Sequence, residues 1–294
     1  MSVKIVTDST ASIPAEVCQR LGITVVPATI HFGTETHVDG VDPAERFYER
    51  LVDSPEVPTT STPSPGAFLD RYKQLADQAS TIISIHVMET KSTLINVARM
   101  AAQMLPEQEI LVVDSSSTTL GLGLLTMAAA KAARLGHGAQ EIVAMLGRLV
   151  PRTHVHAAIR QMTQLRRSGR VSLGTALIAG VLSIKPVLYI GQSVVEVVEK
   201  VHGWHPALER LSELAQAQVN GAKVHLAVVH TNAREEAERL LQLIRERFDC
   251  VEAIIADAGT ALASHAGPGA VGIVTMEFDP LLGAEPLDSA PFPL

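Results

Sequence analysis

Cysteine and aromatic residues are scarce in this chain. Its 294 residues include two cysteines, Cys18 and Cys250, which lie far apart and form neither a CxxC motif nor a disulfide framework. We therefore expect two reduced thiols. Only one Trp, three Tyr and six Phe are present. These are too few for the aromatic platforms on which single-stranded nucleic acids stack.

Positive charge is scarce as well. Lys and Arg total 24 against 31 Asp and Glu, which gives a formal net charge of −7. Nucleic-acid-binding domains instead carry a basic surface that neutralises phosphates. The charge balance therefore argues against a nucleic-acid partner.

Long apolar runs are missing too. No stretch reaches the ~18 continuous apolar residues of a membrane-spanning helix. The most apolar segment, residues 176–190, is interrupted by Gly180, Ser183, Lys185 and Pro186. The first residues, MSVKIVTDST, contain no signal-peptide core. We expect a cytoplasmic protein with at most transient membrane contact.

Aliphatic residues are abundant. Hydrophobic residues make up 47% of the chain while aromatic residues make up 3%, so the apolar content is almost entirely aliphatic. A large core explains this surplus, and so does a cavity for an aliphatic ligand. Composition does not separate the two explanations.

Short apolar runs alternate with helical periodicity up to about residue 150. The pattern predicts strands at residues 3–6, 23–30, 82–87 and 109–114. Such alternation predicts an α/β fold with a mainly parallel, doubly wound sheet. Beyond Pro151, a hairpin at residues 191–192 is mixed with strand–helix units, which predicts a second α/β domain with a mixed sheet and helices.

These patterns divide the chain into two predicted domains. The first is residues 1–150, with a Pro/Ser/Thr-rich excursion at about 54–65, and the second is residues 151–280. The Pro-rich tail, residues 281–294, is predicted to be loosely ordered.

Hydroxyl residues follow three of the predicted parallel strands. They are residues 7–10, Ser92 with Thr93, and residues 115–119. Because the carboxyl ends of parallel strands share one edge, where open α/β sheets bind ligands, these clusters predict a site there. Ser92 and Thr93 also precede a predicted helix, whose free N–H groups favour an anion. Simple capping of that helix explains the same two hydroxyls.

Three further features bear on a site. The hydroxyls of residues 59–64 belong either to a linker or to a ligand-facing surface, since their prolines favour extended backbone. His265 precedes a Gly-rich segment that predicts a constrained loop, from which an imidazole reaches a carboxylate or phosphate; an ordinary core or surface histidine fits equally well. Arg170 suits an anion or a structural carboxylate.

Other functional motifs are incomplete. Gly121 and Gly123 suggest GxGxxG without its third glycine, so close helix packing is the better explanation. The eleven histidines, including His154 and His156 on one strand face, show no metal-ligand spacing. No GxSxG elbow is present. A hydrolase triad is conceivable because Ser, His and Asp are abundant, but abundance does not identify one.

Six segments, in order along almost the whole chain, resemble the motifs of the DegV family of bacterial fatty-acid-binding proteins. They are residues 4–14 (KIVTDSTASIP, similar to IVTDSTADLP), 58–64 (PTTSTPS, similar to PTTSQPS), 112–123 (VVDSSSTTLGLG, similar to VIDS…GLG), 165–171 (LRRSGRV, similar to LKKGGRI), 182–187 (LSIKPV, similar to LLNIKPI) and 265–270 (HAGPGA, similar to HVGPGA).

This resemblance implies two α/β domains that hold one long-chain fatty acid in a buried tunnel at their interface. It implies that Thr60, Ser92 and His265 lie at the carboxylate, with Ser61, Thr93 and Arg170 supporting the head group or the partner surface. The protein would then be a carrier without a catalytic site, metal or cofactor. It would present the bound acid to a fatty acid kinase, which makes acyl phosphate. A serine hydrolase acting on acyl esters or acyl phosphates is the alternative function.

One segment departs from the family pattern. Residues 88–98 (METKSTLINVA) stand where the family has SSxLSGTYQSA, and only Ser92 and Ala98 keep their residue type. Thr93 replaces a glycine, and a β-branched residue there restricts the approach of the backbone to a ligand. The segment therefore predicts a changed ligand or a changed ligand orientation.

Overall fold

The computed structural model describes residues 2–53, 58–171 and 183–288. The strands of this part of the chain are β1 (Val3–Asp8), β2 (Ile23–Val26), β3 (Thr29–Phe32), β4 (Glu35–Val38), β5 (Thr59–Ser61), β6 (Thr81–His86), β7 (Glu109–Asp114), β8 (Thr153–Ala158), β9 (Ile184–Gly191), β10 (Val194–His202), β11 (Val224–His230), β12 (Cys250–Asp257) and β13 (Val271–Glu277).

The α-helices of the same residues are α1 (Ala15–Leu21), α2 (Ala44–Asp53), α3 (Pro65–Ala76), α4 (Leu94–Gln103), α5 (Thr119–Arg134), α6 (Ala139–Leu149), α7 (Met162–Ser168), α8 (Trp204–Val219), α9 (Arg234–Ile244) and α10 (Thr260–Ala266). None of them is both long enough and apolar enough to cross a lipid bilayer.

Four parallel strands form the first sheet, in the order β2-β1-β6-β7. Helices α3 and α4 pack on one face and α5 on the other, which explains why β6 is buried along its whole length. The predicted parallel sheet with helices is confirmed. The strand order reverses between β1 and β6, so their carboxyl ends border the crevice in which such sheets bind ligands.

The predicted strand at residues 23–30 is wrong, because it is two strands in two sheets. The chain leaves the first sheet at Pro27, which has no N–H to donate to a strand neighbour. The next strand, β3, pairs antiparallel with β4 and β5 in a small three-stranded sheet. Strand β5 comes from the Pro/Ser/Thr-rich stretch, where extended backbone was expected.

The second sheet has six strands in the order β10-β9-β8-β13-β11-β12. Only the β11–β12 pair is parallel, so the predicted mixed sheet is confirmed. The predicted hairpin joins β9 and β10, but its two-residue loop is one position later than the predicted 191–192. Gln192 and Ser193 at its tip have φ values of 48° and 63°. Left-handed residues at both central positions are typical of a tight hairpin turn.

Helix α5 lies between the two sheets. Thirteen of its 16 residues are buried, and it contacts β1 on one side and β8, β11 and β13 on the other. Gly123 permits this packing, since a Cβ there would lie 2.4 Å from the carbonyl oxygen of Ala11. The interpretation of the GxG sequence as close helix packing is confirmed. The largest core cluster therefore joins residues from both sides of residue 150, such as Ile83 and Val274.

The C-terminal tail is ordered up to residue 288, so the prediction of a loose tail is wrong there. Leu282 and Leu287 are buried in the main core, and Asp288 forms an ion pair with Arg20 of α1. The apolar side chains offset the disorder that a Pro-rich sequence favours. Residues 289–294 and the helix predicted at 176–182 lie outside the described residues.

Candidate functional site

A cavity of about 490 Å³ lies between the carboxyl edge of the first sheet and one face of the second. Its deep wall is apolar and includes Val155, Leu188 and Val229, which are almost completely buried. On another side its lining includes the exposed residues Thr93 and Arg170. The cavity therefore runs from a polar opening to an apolar interior.

All six residues that the sequence singled out line this cavity. They are Thr60, Ser61, Ser92, Thr93, Arg170 and His265. They come from strand β5, from the loop between β6 and α4, from the segment just after α7 and from α10. The structure brings them together although up to 205 positions separate them along the chain. Their roles in binding a ligand stay predictions.

Thr60 and His265 are in direct contact. The Thr60 Oγ1 atom lies 3.2 Å from Nε2 of His265. Strand pairing fixes Thr60, because it is opposite Ile30 of β3. His265 is in the last turn of α10, so the expectation that it lies on a loop is wrong. The glycine-rich segment that suggested the loop begins only after the helix, at Gly267.

Asp39 fixes the position of that helix, a role that no pattern in the sequence indicates. Its buried carboxylate oxygen Oδ1 accepts hydrogen bonds from the backbone N–H of Thr260 (2.8 Å) and Ala261 (3.1 Å) and from the Thr260 hydroxyl (2.7 Å). These donors form the first turn of α10, where a negative charge is favourable. Asp39 follows β4, so it ties His265 to the small sheet that carries Thr60.

The imidazole of His265 is neutral at neutral pH. Burial, assisted by the positive charge of Arg170, lowers the pKa of His265 to about 4. The side chain therefore acts as a hydrogen-bonding group and not as a cation. Arg170 thus places a positive charge close enough to the opening to lower the pKa of His265.

Ser92 has a local role as well as a place in the lining. Its hydroxyl oxygen accepts the backbone N–H of Leu94, the first residue of α4, at 3.2 Å. The N-cap residue itself is Thr93, whose side chain makes no capping hydrogen bond, so the capping interpretation holds only for Ser92 and only from the position before the cap. Thr93 instead contacts Thr62, with 3.0 Å between the two Oγ1 atoms. This contact connects the loop before α4 to the segment after β5 across the opening.

Ser61 and Arg170 also have partners in the protein. The Ser61 hydroxyl lies 2.9 Å from Nε2 of His31 on β3. The Arg170 guanidinium donates to the backbone carbonyl oxygen of Ser168 at 2.9 Å, where a structural carboxylate was one expectation. Ser61 is thus tied to the small sheet, and Arg170 to the end of α7.

The other two hydroxyl clusters reach the same cavity. Thr10 follows β1, and Thr118 and Thr119 begin α5 after β7; all three line the cavity. The prediction that the three clusters share one edge is confirmed, since β1, β6 and β7 are parallel neighbours.

A chain of hydrogen bonds with the connectivity of a hydrolase triad lies nearby. Nδ1 of His86 is 3.0 Å from Oδ2 of Asp8, and Nε2 of His86 is 2.6 Å from Oγ of Ser84. All three residues have zero exposure, and none lines the cavity. A nucleophile must reach its substrate. The arrangement therefore gives the hydrolase alternative no accessible serine.

Two other histidines lie in the second sheet, on β8. His154 and His156 share one face of β8 as expected, and His154 lies 2.9 Å from the Tyr189 hydroxyl. Burial lowers the pKa of His156 to about 4, and the neighbouring His154 adds to the effect. Across the part of the chain that the structure describes, no cluster of three or more His, Cys, Asp or Glu is suited to a metal ion.

Known proteins match nearly the whole chain. The model of a family described as "Uncharacterised protein, DegV family" matches residues 2–277. A DegV domain-containing protein of Deinococcus radiodurans is 33% identical over 277 residues, which is 93% of this chain and 98% of that protein. One of Streptomyces coelicolor is 32% identical over 274 residues, or 92% of this chain and 97% of that protein.

Solved structures show the same architecture. A fatty-acid-binding DegV family protein from Thermus thermophilus superposes with a TM-score of 0.88 at 26% identity, covering 95% of this chain and 100% of that one. DegV of Bacillus subtilis, a fatty acid binding protein, has a TM-score of 0.85 at 28% identity with the same coverage. Together, the matches along the sequence and the shared fold show that this chain belongs to the DegV family.

Proposed function

We propose that this protein binds one long-chain fatty acid, with its hydrocarbon chain in the cavity and its carboxylate beside Thr60, Ser92 and His265. The observation that carries the proposal is the cavity itself, which has an apolar interior and an opening lined by hydroxyls and a neutral imidazole. The fatty-acid-binding relatives from T. thermophilus and B. subtilis support it.

The size of the cavity suits a long chain. A methylene group is about as large as a water molecule, whose share of liquid volume is about 30 Å³. The cavity of about 490 Å³ then holds roughly 16 such groups. Each buried methylene contributes about 0.8 kcal/mol, so the chain supplies most of the affinity and the opening supplies orientation.

The opening suits a carboxylate because it offers hydrogen-bond donors and a nearby positive charge. The Thr60 and Ser92 hydroxyls are able to donate, and each such bond to a charged group contributes about 1.5–3 kcal/mol. The positive charge of Arg170, which helps to lower the pKa of His265, also attracts an anion. A carboxylate beside His265 would in turn raise the pKa of that histidine.

We further propose that the protein is a carrier that acts in the cytoplasm and presents the carboxylate to a separate enzyme such as a fatty acid kinase. The exposed residues Glu89, Thr90, Thr93 and Arg170 beside the cavity support this, because a partner has access to the head-group end. A carboxylate oxygen would attack the terminal phosphorus of a nucleoside triphosphate held by that partner, which would give acyl phosphate and release the nucleoside diphosphate.

Native mass spectrometry of protein purified without delipidation tests the binding. We expect a mass increase equal to one fatty acid, and saturable binding of labelled palmitic acid after delipidation. The matched methyl ester should bind more weakly, since it lacks the charge. Protein that carries no lipid and takes up no labelled acid would rule the proposal out. Turnover of an acyl ester or acyl phosphate by the protein alone would favour the hydrolase instead.

A further inference from the structure

Asp8 lies behind the cavity wall at the carboxyl end of β1. Its side chain is fully buried, and it is not itself part of the lining. Oδ2 accepts hydrogen bonds from Nδ1 of His86 at 3.0 Å and from the backbone N–H of Val87 at 3.1 Å. Oδ1 accepts from the backbone N–H of Thr10 at 3.1 Å and from the Thr10 hydroxyl. The carboxylate thus has four donors on two neighbouring strand ends.

A buried chain of side chains orients His86 toward Asp8. A carboxylate only accepts hydrogen bonds, so Nδ1 of His86 carries a proton. Its Nε2 atom lies 2.6 Å from the Ser84 hydroxyl oxygen, which lies 2.9 Å from the Tyr72 hydroxyl oxygen. Both ring nitrogens of His86 therefore have partners, which fix the orientation of the ring.

The two segments held by Asp8 both line the cavity. Thr10 is on one side of the crevice between β1 and β6, and Val87 opens the loop that carries Ser92 on the other. The backbone N–H of Met88 is bonded to the carbonyl oxygen of Ser117 at 3.0 Å, which extends the same connection to the loop after β7. Asp8 therefore connects the Thr10 turn to the start of the 87–93 loop, just beyond the paired parts of β1 and β6.

We propose that Asp8, oriented by His86, is a positioning residue that sets the separation between the Thr10 turn and the 87–93 loop, and so aims Ser92 at the ligand head group. This inference rests on the proposed binding of a fatty acid. It goes further in assigning a role to the buried Asp8–His86–Ser84–Tyr72 chain, which resembles a catalytic triad yet has no access to substrate.

Two substitutions of His86 distinguish positioning from simple support of the fold. The side-chain amide of His86→Asn keeps an N–H donor near the position of Nδ1, so the bond to Asp8 is preserved. The longer amide of His86→Gln lies near the position of Nε2, so the bond to Asp8 is lost while contact with Ser84 is kept. Tyr72→Phe is the matched control, because it removes a buried hydrogen bond at the far end of the same chain without touching Asp8. Asp8→Asn replaces one carboxylate oxygen by an NH₂ group, whose hydrogens face the donors that the oxygen accepted from.

The measurement is the ratio of dissociation constants for palmitic acid and for the alcohol of the same chain length. A change in stability alone does not move this ratio, since both ligands bury the same chain. We expect the preference for the acid to fall about tenfold or more in Asp8→Asn and His86→Gln. This is the loss that follows when one hydrogen bond, from the Ser92 hydroxyl to the carboxylate, is no longer made. His86→Asn and Tyr72→Phe should keep the wild-type ratio.

The possible failures point to different conclusions. If wild-type protein binds neither ligand, the proposed function fails, and the positioning role with it. If the wild type prefers the acid and His86→Gln keeps that preference, only the positioning role is refuted. An equal loss in Tyr72→Phe would also refute it, because a general loosening of the fold would then explain the result. Should Asp8→Asn fail to fold, the two His86 variants still decide.

Discussion

Lengthening the ligand by two methylenes at a time tests whether its chain lies in the cavity. Burial of each added pair of methylenes strengthens binding by about 1.6 kcal/mol, at about 0.8 kcal/mol per methylene. The dissociation constant should therefore fall about 15-fold from decanoic to dodecanoic acid, and again to tetradecanoic acid. Since a cavity of about 490 Å³ holds roughly 16 methylene-sized groups, the gain should stop near that length.

Isothermal titration of delipidated protein measures this series, with each acid kept below its aggregation threshold. The matched alcohols serve as the control, because they should show the same gain per methylene from a weaker starting affinity. A heat-capacity change that grows more negative with chain length would accompany true burial. A gain of less than about threefold per pair would refute the reasoning, since water would then still contact most of the chain.

Three further predictions concern single residues. Ser92→Ala should weaken fatty-acid binding by about tenfold or more. It should lower the free energy of unfolding by only about 1 kcal/mol through the lost hydrogen bond to the Leu94 N–H, and titration and urea unfolding measure the two effects separately. Because burial lowers the pKa of His156 from 6.5 to about 4, the unfolded chain takes up a proton in that range before the folded protein does, so stability falls as the pH falls. His156→Asn should reduce the loss of unfolding free energy between pH 7 and pH 5 by about 2 kcal/mol, and an unchanged pH dependence would contradict this. Leu287→Ala should destabilise the protein by about 2–4 kcal/mol because that side chain is only 2% exposed, and a change below about 0.5 kcal/mol would show that the tail does not pack as described.

The sequence predicts the first sheet and its ligand-binding edge because the signals there are local. The apolar run at residues 82–87 is one complete strand, and the hydroxyls of Ser92 and Thr93 follow it directly. Parallel pairing then places such turns at one edge whatever the details of packing. The match of motifs in family order added Thr60 and His265, which no local pattern distinguishes from a linker hydroxyl and an ordinary histidine.

The parts that the sequence does not predict depend on long-range contacts. Asp39 caps α10 from more than 200 positions away, and an isolated aspartate in a polar turn carries no sign of that role. Pro27 divides an apolar run between two sheets, although the run itself reads as one strand. The Pro-rich tail is held in place by the burial of Leu287 and by the ion pair between Asp288 and Arg20, and composition reveals neither contact.

Helix α5 has a consequence for any attempt to divide the molecule. Its side chains fill the space under the first sheet and also cover one face of the second, so the same atoms serve as interior for both. A cut or fusion near residue 150 would leave the helix with the N-terminal piece. In the C-terminal piece, α8 and α9 would still cover one face of the second sheet. The other face, including the cavity wall at Val155 and Val229, would be exposed to water. Division at residue 150 would therefore separate the cavity wall at Val155 and Val229 from the helix that covers it.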